Sequence, residues 1–256
     1  MNKLDKTQNF KQLDMSKSEK FELNKNRRDE ILKFLVDGEY WITAENARLL
    51  LNVNTLSYTR RLLATMAKDG LLSIKSLNFT GGLKRNYYAL TERGYNVLGI
   101  DDEPLKDSAV GFQLAAHNEH LQRLHIIANQ TLKVGDFEWF TELQIRRYYK
   151  NFASYPDALL TINNQKISIE LQRNLPNSLT LSKKMSKVLR DILSGNFAKL
   201  VYFCTDNLDK ETLKKQFNKI TSVKNSKYES INITDEHRAY FEFYNSDDFT
   251  DYITKL

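Results

Sequence analysis

Apolar residues in the first seventy positions recur with the helical period. They predict three helices, of which the first begins near Arg27 and stops at the Asp-Gly pair at 37–38. The second runs through AENARLLL behind an N-cap at Thr43, and the third opens at Asn54 or Thr55. The polar, Lys-rich residues 1–25 predict either a loose arm or one marginal helix.

The period then changes from that of helices to the alternation of strands. LLSIKSL and RNYYAL alternate apolar and polar positions and predict a hairpin that turns through 78–82. TERGYNVLG predicts a short helix after the hairpin. The first hundred residues therefore read as three helices, a two-stranded hairpin and a last helix.

The remainder of the chain mixes both periods in a different order. A helix is predicted first, then three strands, a helix and a buried strand. These elements are HNEHLQRLHIIANQTLK (117–133), FEWFTELQI (137–145), DALLTI (157–162), KISIELQ (166–172), TLSKKMSKVLRDILSG (180–195) and KLVYFCT (199–205). Residues 206–256 read as a helix, two strands and a closing helix that extend the same module.

Composition places the chain among globular proteins. Hydrophobic residues make up 41% and charged residues 27% of the 256 positions, and no run of apolar residues is long enough to cross a membrane. Cys204 is the only cysteine, which excludes a disulfide framework and a cysteine-based zinc site and indicates a cytoplasmic location. No phosphate-binding or dinucleotide-binding glycine motif occurs.

Charge divides the chain at the acidic segment GIDDEPLKDSAVG. Positions 1–100 hold 17 Lys and Arg against 11 Asp and Glu, whereas positions 101–256 hold 21 of each. A basic first module suggests a polyanion partner, although a solvated Lys-rich surface explains the same surplus. The predicted organisation is an arm (1–25), a DNA-binding domain (26–100), a linker (101–111) and a second domain (112–256).

The first module resembles a winged helix-turn-helix, above all in YYALTERGYNVL, the segment from wing to last helix. In that arrangement the third helix enters a major groove and the wing meets the DNA backbone. The alternative is a winged helix that makes only protein contacts. The candidate DNA-binding residues are Tyr58, Arg60 and Arg61 on the third helix and Lys75, Lys84 and Arg85 on the wing.

The second module resembles the PD-(D/E)xK nucleases, with Asp157 opening one strand and Glu170 closing the next. Antiparallel strands joined by a tight turn bring these two acids together, and two carboxylates can hold Mg²⁺ or Mn²⁺. Ordinary strand-end carboxylates facing water are the alternative. The fold class expected is therefore α+β, an N-terminal winged helix-turn-helix followed by an α/β restriction-endonuclease-like domain.

One position departs from the nuclease motif, because Gln172 stands where the motif has lysine. Its side-chain carbonyl could orient a water, or the lysine could have moved to the following helix, where Lys184 flanks the core face and Lys183 points away from it. Catalytic candidates are thus Asp157, Glu170, Gln172 and Lys184. A catalytically inactive domain is the other interpretation.

The two modules together resemble the replication-relaxation family, which includes the MOBC-type relaxases of mobilisable plasmids. The resemblance implies nicking of double-stranded DNA at a transfer origin, with a coupling protein and accessory relaxosome proteins as partners. It also implies Glu142 as a third metal-binding carboxylate, unless Glu142 is a surface residue. The rival is a non-enzymatic DNA-binding regulator of replication or transcription.

Other chemistry-bearing residues flank the acids. The four histidines form no His-x-His cluster, and His117 either packs in the core of the second module or lies at the metal site. Tyr148, Tyr149 and Tyr155 could stack on bases or attack a phosphate, or simply pack.

Overall fold

The computed structural model describes residues 15–78, 84–99, 112–133, 135–205, 208–225, 227 and 229–256, with no side-chain description for 112–114. The chain divides into two compact units, Met1–Ala115 and Ala116–Leu256. The expected linker, 101–111, lies outside the described residues, as do the hairpin tip at 79–83 and the first fourteen residues of the expected arm.

The first unit combines helices with a small antiparallel sheet of strand order β1-β3-β2. Its elements are α1 (Lys17–Val36), β1 (Trp41–Ile42), α2 (Ala44–Leu50), α3 (Leu56–Lys68), β2 (Leu72–Asn78), β3 (Lys84–Leu90) and α4 (Glu92–Val97).

Local capping chemistry sets the ends of these helices. Thr43 and Thr91 are N-caps whose hydroxyls accept from a backbone N–H three residues on, and Thr55 precedes α3 as the sequence predicts. Helix α1 begins ten residues before the predicted start at Arg27. Ser16 and Glu19 form a reciprocal capping box there, which fixes the first turn of the helix.

The second unit is built on a five-stranded mixed sheet of order β10-β7-β6-β5-β4, with β10, β7 and β6 parallel and the rest antiparallel. Its elements are α5 (Phe112–Thr131, which enters this unit at Ala116), β4 (Phe137–Thr141), α6 (Glu142–Tyr148), β5 (Ala158–Ile162), β6 (Gln165–Gln172), α7 (Ser178–Leu193), β7 (Lys199–Cys204), α8 (Lys210–Asn218), β8 (Ser222–Lys224), β9 (Ser230–Asn232), α9 (Asp235–Ala239), β10 (Phe241–Asn245), a 3₁₀ turn (Ser246–Asp248) and α10 (Phe249–Ile253).

Helices cover both faces of this sheet. One face packs against α7 and α8 through a core that includes Leu159, Met185, Leu200 and Tyr202. The opposite face packs against α5 and α10 through residues such as Ile169. Because side chains alternate along β6, Ser168, Glu170 and Gln172 belong to the α7 side. A polar residue on this side of β6 is thus carried into a helix-covered layer.

The strand predicted over 137–145 is shorter in the structure and ends at Thr141. The alternation of apolar residues continues beyond that point, but Thr141 and Gln144 form a capping box that starts helix α6 instead. In the C-terminal part, the structure adds strand β8 and helix α9 to the predicted elements.

The fold class is therefore mixed α+β with a mixed sheet in the second unit. Within the described residues, no helix is long and apolar enough to cross a membrane.

Candidate functional site

The hairpin of β5 and β6 positions the two acids singled out in the sequence. Its turn is Asn163-Asn164, with φ of 49° and 60°, the positive values that a two-residue type I′ turn requires. The ladder then runs to the pair Ala158 and Ile169. One further residue along this register sets Asp157 beside Glu170, at the open end of the hairpin.

Asp157 precedes β5, and its carboxylate is held by the end of the neighbouring strand β6. Its Oδ2 accepts a 2.8 Å hydrogen bond from the Leu171 backbone N–H, just beyond the last ladder pair. Its Oδ1 lies 3.2 Å from Nε2 of His117, which is on helix α5. Both carboxylate oxygens therefore have protein partners, and the side chain remains 18% exposed.

Glu170 meets a lysine from the covering helix. Lys184 Nζ on α7 donates to Glu170 Oε1 at 2.5 Å, and the Glu170 side chain is only 12% exposed. Lys183, one position earlier, faces a groove on the other side of the helix. The structure thus brings Asp157, Glu170, Lys184 and His117 into one cluster.

Burial and mutual repulsion make this cluster electrostatically unusual. Desolvation, followed by the charge of Asp157, raises the pKa of Glu170 to about 7, against the opposing effects of Lys184 and His117. Burial opposes the charged form of His117, but the hydrogen bond to Asp157 and both negative charges outweigh it, so the His117 pKa is raised. The cluster therefore binds protons near neutral pH.

Two buried hydroxyls lie on the same side of the sheet as Glu170. Neither Ser168 Oγ nor the Tyr202 hydroxyl has a hydrogen-bond partner within the described protein. Tyr202 pairs with Glu170 in the β6–β7 register, and burial together with the charges of Glu170 and Asp157 raises its pKa well above the usual value. Such hydroxyls are ordinarily completed by ordered water.

Gln172 and Glu142 have other partners in the structure. The Gln172 amide nitrogen donates to the Asn174 carbonyl at 2.7 Å, at the end of β6. Glu142 begins helix α6, where its carboxylate accepts from Arg146 one turn later, and the pair is about half exposed. The Glu142 backbone N–H donates to the Asp157 carbonyl at 3.1 Å, so its main chain adjoins the acids.

The donor set fits a hydrated Mg²⁺ or Mn²⁺ but not a metal enclosed by protein. Asp157 and Glu170 supply hard carboxylate oxygens, and Mg²⁺ commonly takes one or two carboxylates and completes its shell with water. Over the ranges that the structure describes, no three His, Cys, Asp or Glu side chains are grouped to hold a metal. A bound cation would also have to share Glu170 with Lys184.

A buried acid absent from the predicted set holds the segment that leads to Asp157. Asp191 on α7 is 1% exposed and accepts hydrogen bonds from the backbone N–H groups of Ala153 and Ser154, at 2.7 and 2.9 Å. It also accepts from the Asn196 amide at 2.9 Å. In the sequence, Asp191 is one charged residue beside the apolar stripe of a helix, and no pattern signals its burial.

The three tyrosines near the acids differ in exposure. Tyr149 and Tyr155 belong to a chain of ring contacts that runs through Phe152 and joins the α7-side core. Arg146 lies over the Tyr155 ring at 4.4 Å, while Tyr148 is 58% exposed.

The candidate residues on helix α3 project from the first unit. Arg60 and Arg61 are exposed, and Arg60 is 3.8 Å from Glu45. The Tyr58 hydroxyl donates to Asn24 of α1 at 2.6 Å. Tyr58 is therefore partly engaged by the N-terminal half of α1, an interaction that cannot be read from sequence spacing.

The candidate wing residues do not share one face. Lys75 pairs with Tyr87 in the β2–β3 ladder, and Arg85 is two positions from Tyr87, so both lie on the same side of the hairpin. Lys84 lies on the opposite side. A flat surface could therefore contact Lys75 with Arg85, or Lys84, but not all three through one face.

Comparison of the sequence with known protein families, with curated proteins and with solved structures finds no significant match.

Proposed function

We propose that the protein is a DNA-binding, metal-dependent endonuclease that resembles a MOBC-type relaxase. The observation that carries the proposal is the convergence of Asp157, Glu170 and Lys184 at one end of a mixed sheet. Two acids and a lysine are the groups that phosphodiester cleavage uses in the PD-(D/E)xK nucleases. In this mechanism the lysine comes from helix α7 and replaces the one missing at Gln172.

Each residue of the cluster has a physical role in such a reaction. The Leu171 N–H holds Asp157 in a fixed orientation, and His117 compensates its charge. Lys184 brings a positive charge to the place where a phosphate would enter and develop further negative charge. A bound Mg²⁺ or Mn²⁺ would polarise the phosphate and lower the pKa of an attacking water. Glu170, with a pKa near 7, exchanges protons readily at neutral pH.

We propose further that the first unit is a winged helix-turn-helix whose helix α3 reads a transfer origin. The order of its helices, the three-stranded antiparallel sheet and the exposed Arg60 and Arg61 support this assignment. A coupling protein and accessory relaxosome proteins would follow from the same resemblance, and the reaction would take place in the cytoplasm.

The direct test is nicking of a supercoiled plasmid that carries the DNA flanking the coding sequence. The wild-type protein should convert it to the relaxed form with Mg²⁺ or Mn²⁺ and not with chelator. Asp157→Asn and Glu170→Gln should each abolish nicking, and the double variant should do little more, because groups acting on one centre are not additive. Wild-type nicking by Glu170→Gln would refute the active site.

A non-enzymatic DNA-binding regulator is the second candidate, and one observation favours it. Asp157 is paired with His117 and Glu170 with Lys184, so the cluster is closed by charge pairs within the protein. Under this hypothesis the wild-type protein binds DNA and leaves the supercoiled plasmid intact with either metal.

A further inference from the structure

Helix α7 presents a second face to a groove on the far side from the core. The groove has a volume of about 810 Å³, and its other wall is the β8–β9 hairpin. Ser186 in the middle of α7 donates to the Lys224 carbonyl of β8, at 2.5 Å, so the two walls are joined. The groove is distinct from the acid cluster, because Lys184 points to Glu170 while Lys183 lines the groove.

The groove face of α7 has the spacing of a helix–helix seam. Leu179, Lys183, Ser186, Arg190 and Leu193 line the groove and are separated by four, three, four and three residues. This alternation is the one by which two helices pack along each other. The core face, which includes Met185 and Val188, is a separate stripe.

Exposure and charge define what would fit this seam. Leu179 and Leu193 are 65% and 70% exposed, and at 1.5 Å per residue they are about 21 Å apart. Between them lie Lys183 and Arg190, with Lys187 beside them and Lys224 on the hairpin wall. No acidic side chain and no aromatic side chain of the described residues lines the groove, and none of these four cations forms a salt bridge with a described residue.

We propose that this groove binds an acidic amphipathic helix of a partner protein, about four turns long, with apolar residues at its two ends and Asp or Glu between them. The four-three spacing of the lining residues matches a partner helix. The two exposed leucines favour apolar residues at the ends of that helix, and the four cations without a described acidic partner favour Asp or Glu between them. A nucleic acid strand would complement only the positive charge of the groove, because the described lining residues include no aromatic ring on which a base could stack. The binding of such a helix does not depend on the proposed nuclease activity.

The test uses dye-labelled synthetic peptides and the full-length protein, with binding followed by fluorescence anisotropy. The first peptide is an Ala-rich helix that carries the seam Leu–Glu–Ala–Glu–Leu at the same four-three spacing. A second has the same composition in shuffled order, a third has Lys in place of Glu, and the last probe is an oligothymidine of similar length. The first peptide should bind about tenfold or more tighter than the shuffled and the Lys peptides.

Variants of the groove locate the binding. Lys183→Glu with Arg190→Glu should lower the affinity for the acidic peptide by about tenfold or more. The same variant should bind the Lys peptide, since opposite charges then face each other. Leu193→Ser should lower the affinity for the acidic peptide severalfold, and it should leave the fold unchanged because Leu193 is exposed. The matched control is Lys214→Glu with Lys215→Glu, the same charge change on exposed positions of α8, which should bind as the wild type does.

Four results would overturn the proposal that the groove binds an acidic helix. Equal affinities for the ordered and the shuffled peptide would show that peptide binding depends on charge alone and not on the helical seam. No peptide binding by the wild type, or undiminished binding by the groove variant, would remove the site. Tighter binding of oligothymidine than of the acidic peptide, abolished in the groove variant, would make the groove a nucleic acid surface instead. Circular dichroism of each variant checks that the fold is retained.

Discussion

Glu170 is the residue at which fold stability and proposed chemistry conflict most directly. A carboxyl with its pKa raised from 4.5 to about 7 binds protons more tightly in the folded protein than in the unfolded chain. Stability from this residue is therefore fully present below pH 4.5 and is lost as the pH rises to about 7. The sign is opposite to that of an exposed carboxylate in a salt bridge.

Glu170→Gln mimics the protonated carboxyl, so the free energy of unfolding of the variant, relative to wild type, should rise between about pH 4.5 and pH 8 by up to about 3 kcal/mol. Urea unfolding at both pH values measures the difference. A pH-independent difference between the two proteins would show that Glu170 has an ordinary pKa.

Lys184 is predicted to matter to stability as the cation that offsets Glu170. Lys184→Ala leaves a poorly exposed carboxylate without its hydrogen-bond partner and should cost about 1–3 kcal/mol at pH 8, and less near pH 5, where Glu170 is protonated. Lys183→Ala, on the groove side of the same helix, is the matched control and should change stability little. Equal losses from the two variants at pH 8 would argue against the pair.

Only some of the neighbours at the candidate site could be predicted from the sequence. The turn residues between β5 and β6 fix a register that places Asp157 beside Glu170, and the apolar stripe of α7 separates Lys184 from Lys183. From the sequence, His117 could lie either in the core or at the metal site. The choice between the two could not be made, because the pairing of His117 with Asp157 joins a helix to a strand end forty residues later. Side-chain pairing across such distances in sequence is set by tertiary packing.

Among the elements, capping chemistry explains where hydrophobic periodicity is misleading. The alternation over 137–145 favours a strand, yet Thr141 and Gln144 start a helix in the middle of it. Similarly, the polar stretch before Arg27 has no apolar stripe, but its Ser16 and Glu19 form the capping box of α1. Both boxes are visible in the sequence as Ser or Thr with Glu or Gln three residues later. The short β8 and α9 carry too few residues for either period to be detected.

Asp191 links an element to the site, because it holds the segment before Asp157 against helix α7. The Asp191 carboxylate accepts hydrogen bonds from two backbone N–H groups. In Asp191→Asn the side-chain NH₂ replaces one of the accepting oxygens, so a donor faces a donor and one of these hydrogen bonds is lost. The variant should lose about 1–3 kcal/mol of unfolding free energy. Hydrogen exchange at Ala153 and Ser154 should accelerate more than exchange elsewhere in the sheet.

The exposed Asp251 supplies the control for that experiment, since Asp251→Asn changes the same charge on helix α10. Its stability and its exchange at Ala153 and Ser154 should match the wild type. If Asp191→Asn lowers stability while those two amides exchange at the wild-type rate, Asp191 does not hold the segment.

The division of the chain into two units matches the uneven distribution of charge. The surplus of positive residues lies entirely within the first hundred positions, and the acid cluster lies in the second unit. The fold class follows from the order of elements in the sequence, whereas the residue partners of the exposed arginines do not. Under the proposed function, DNA binding and cleavage should therefore be separable by mutation.

Replacing Arg60 and Arg61 with Ala should weaken binding to a mixed-sequence DNA duplex and reduce the slope of log affinity against log salt by about 2, one for each phosphate that an arginine no longer neutralises. Both side chains are exposed, so circular dichroism should be unchanged. Asp157→Asn with Glu170→Gln should retain the wild-type salt slope, as should the control Lys214→Ala with Lys215→Ala. An unchanged slope in the arginine variant, measured by anisotropy at several salt concentrations, would mean that helix α3 does not bind the DNA backbone through these residues.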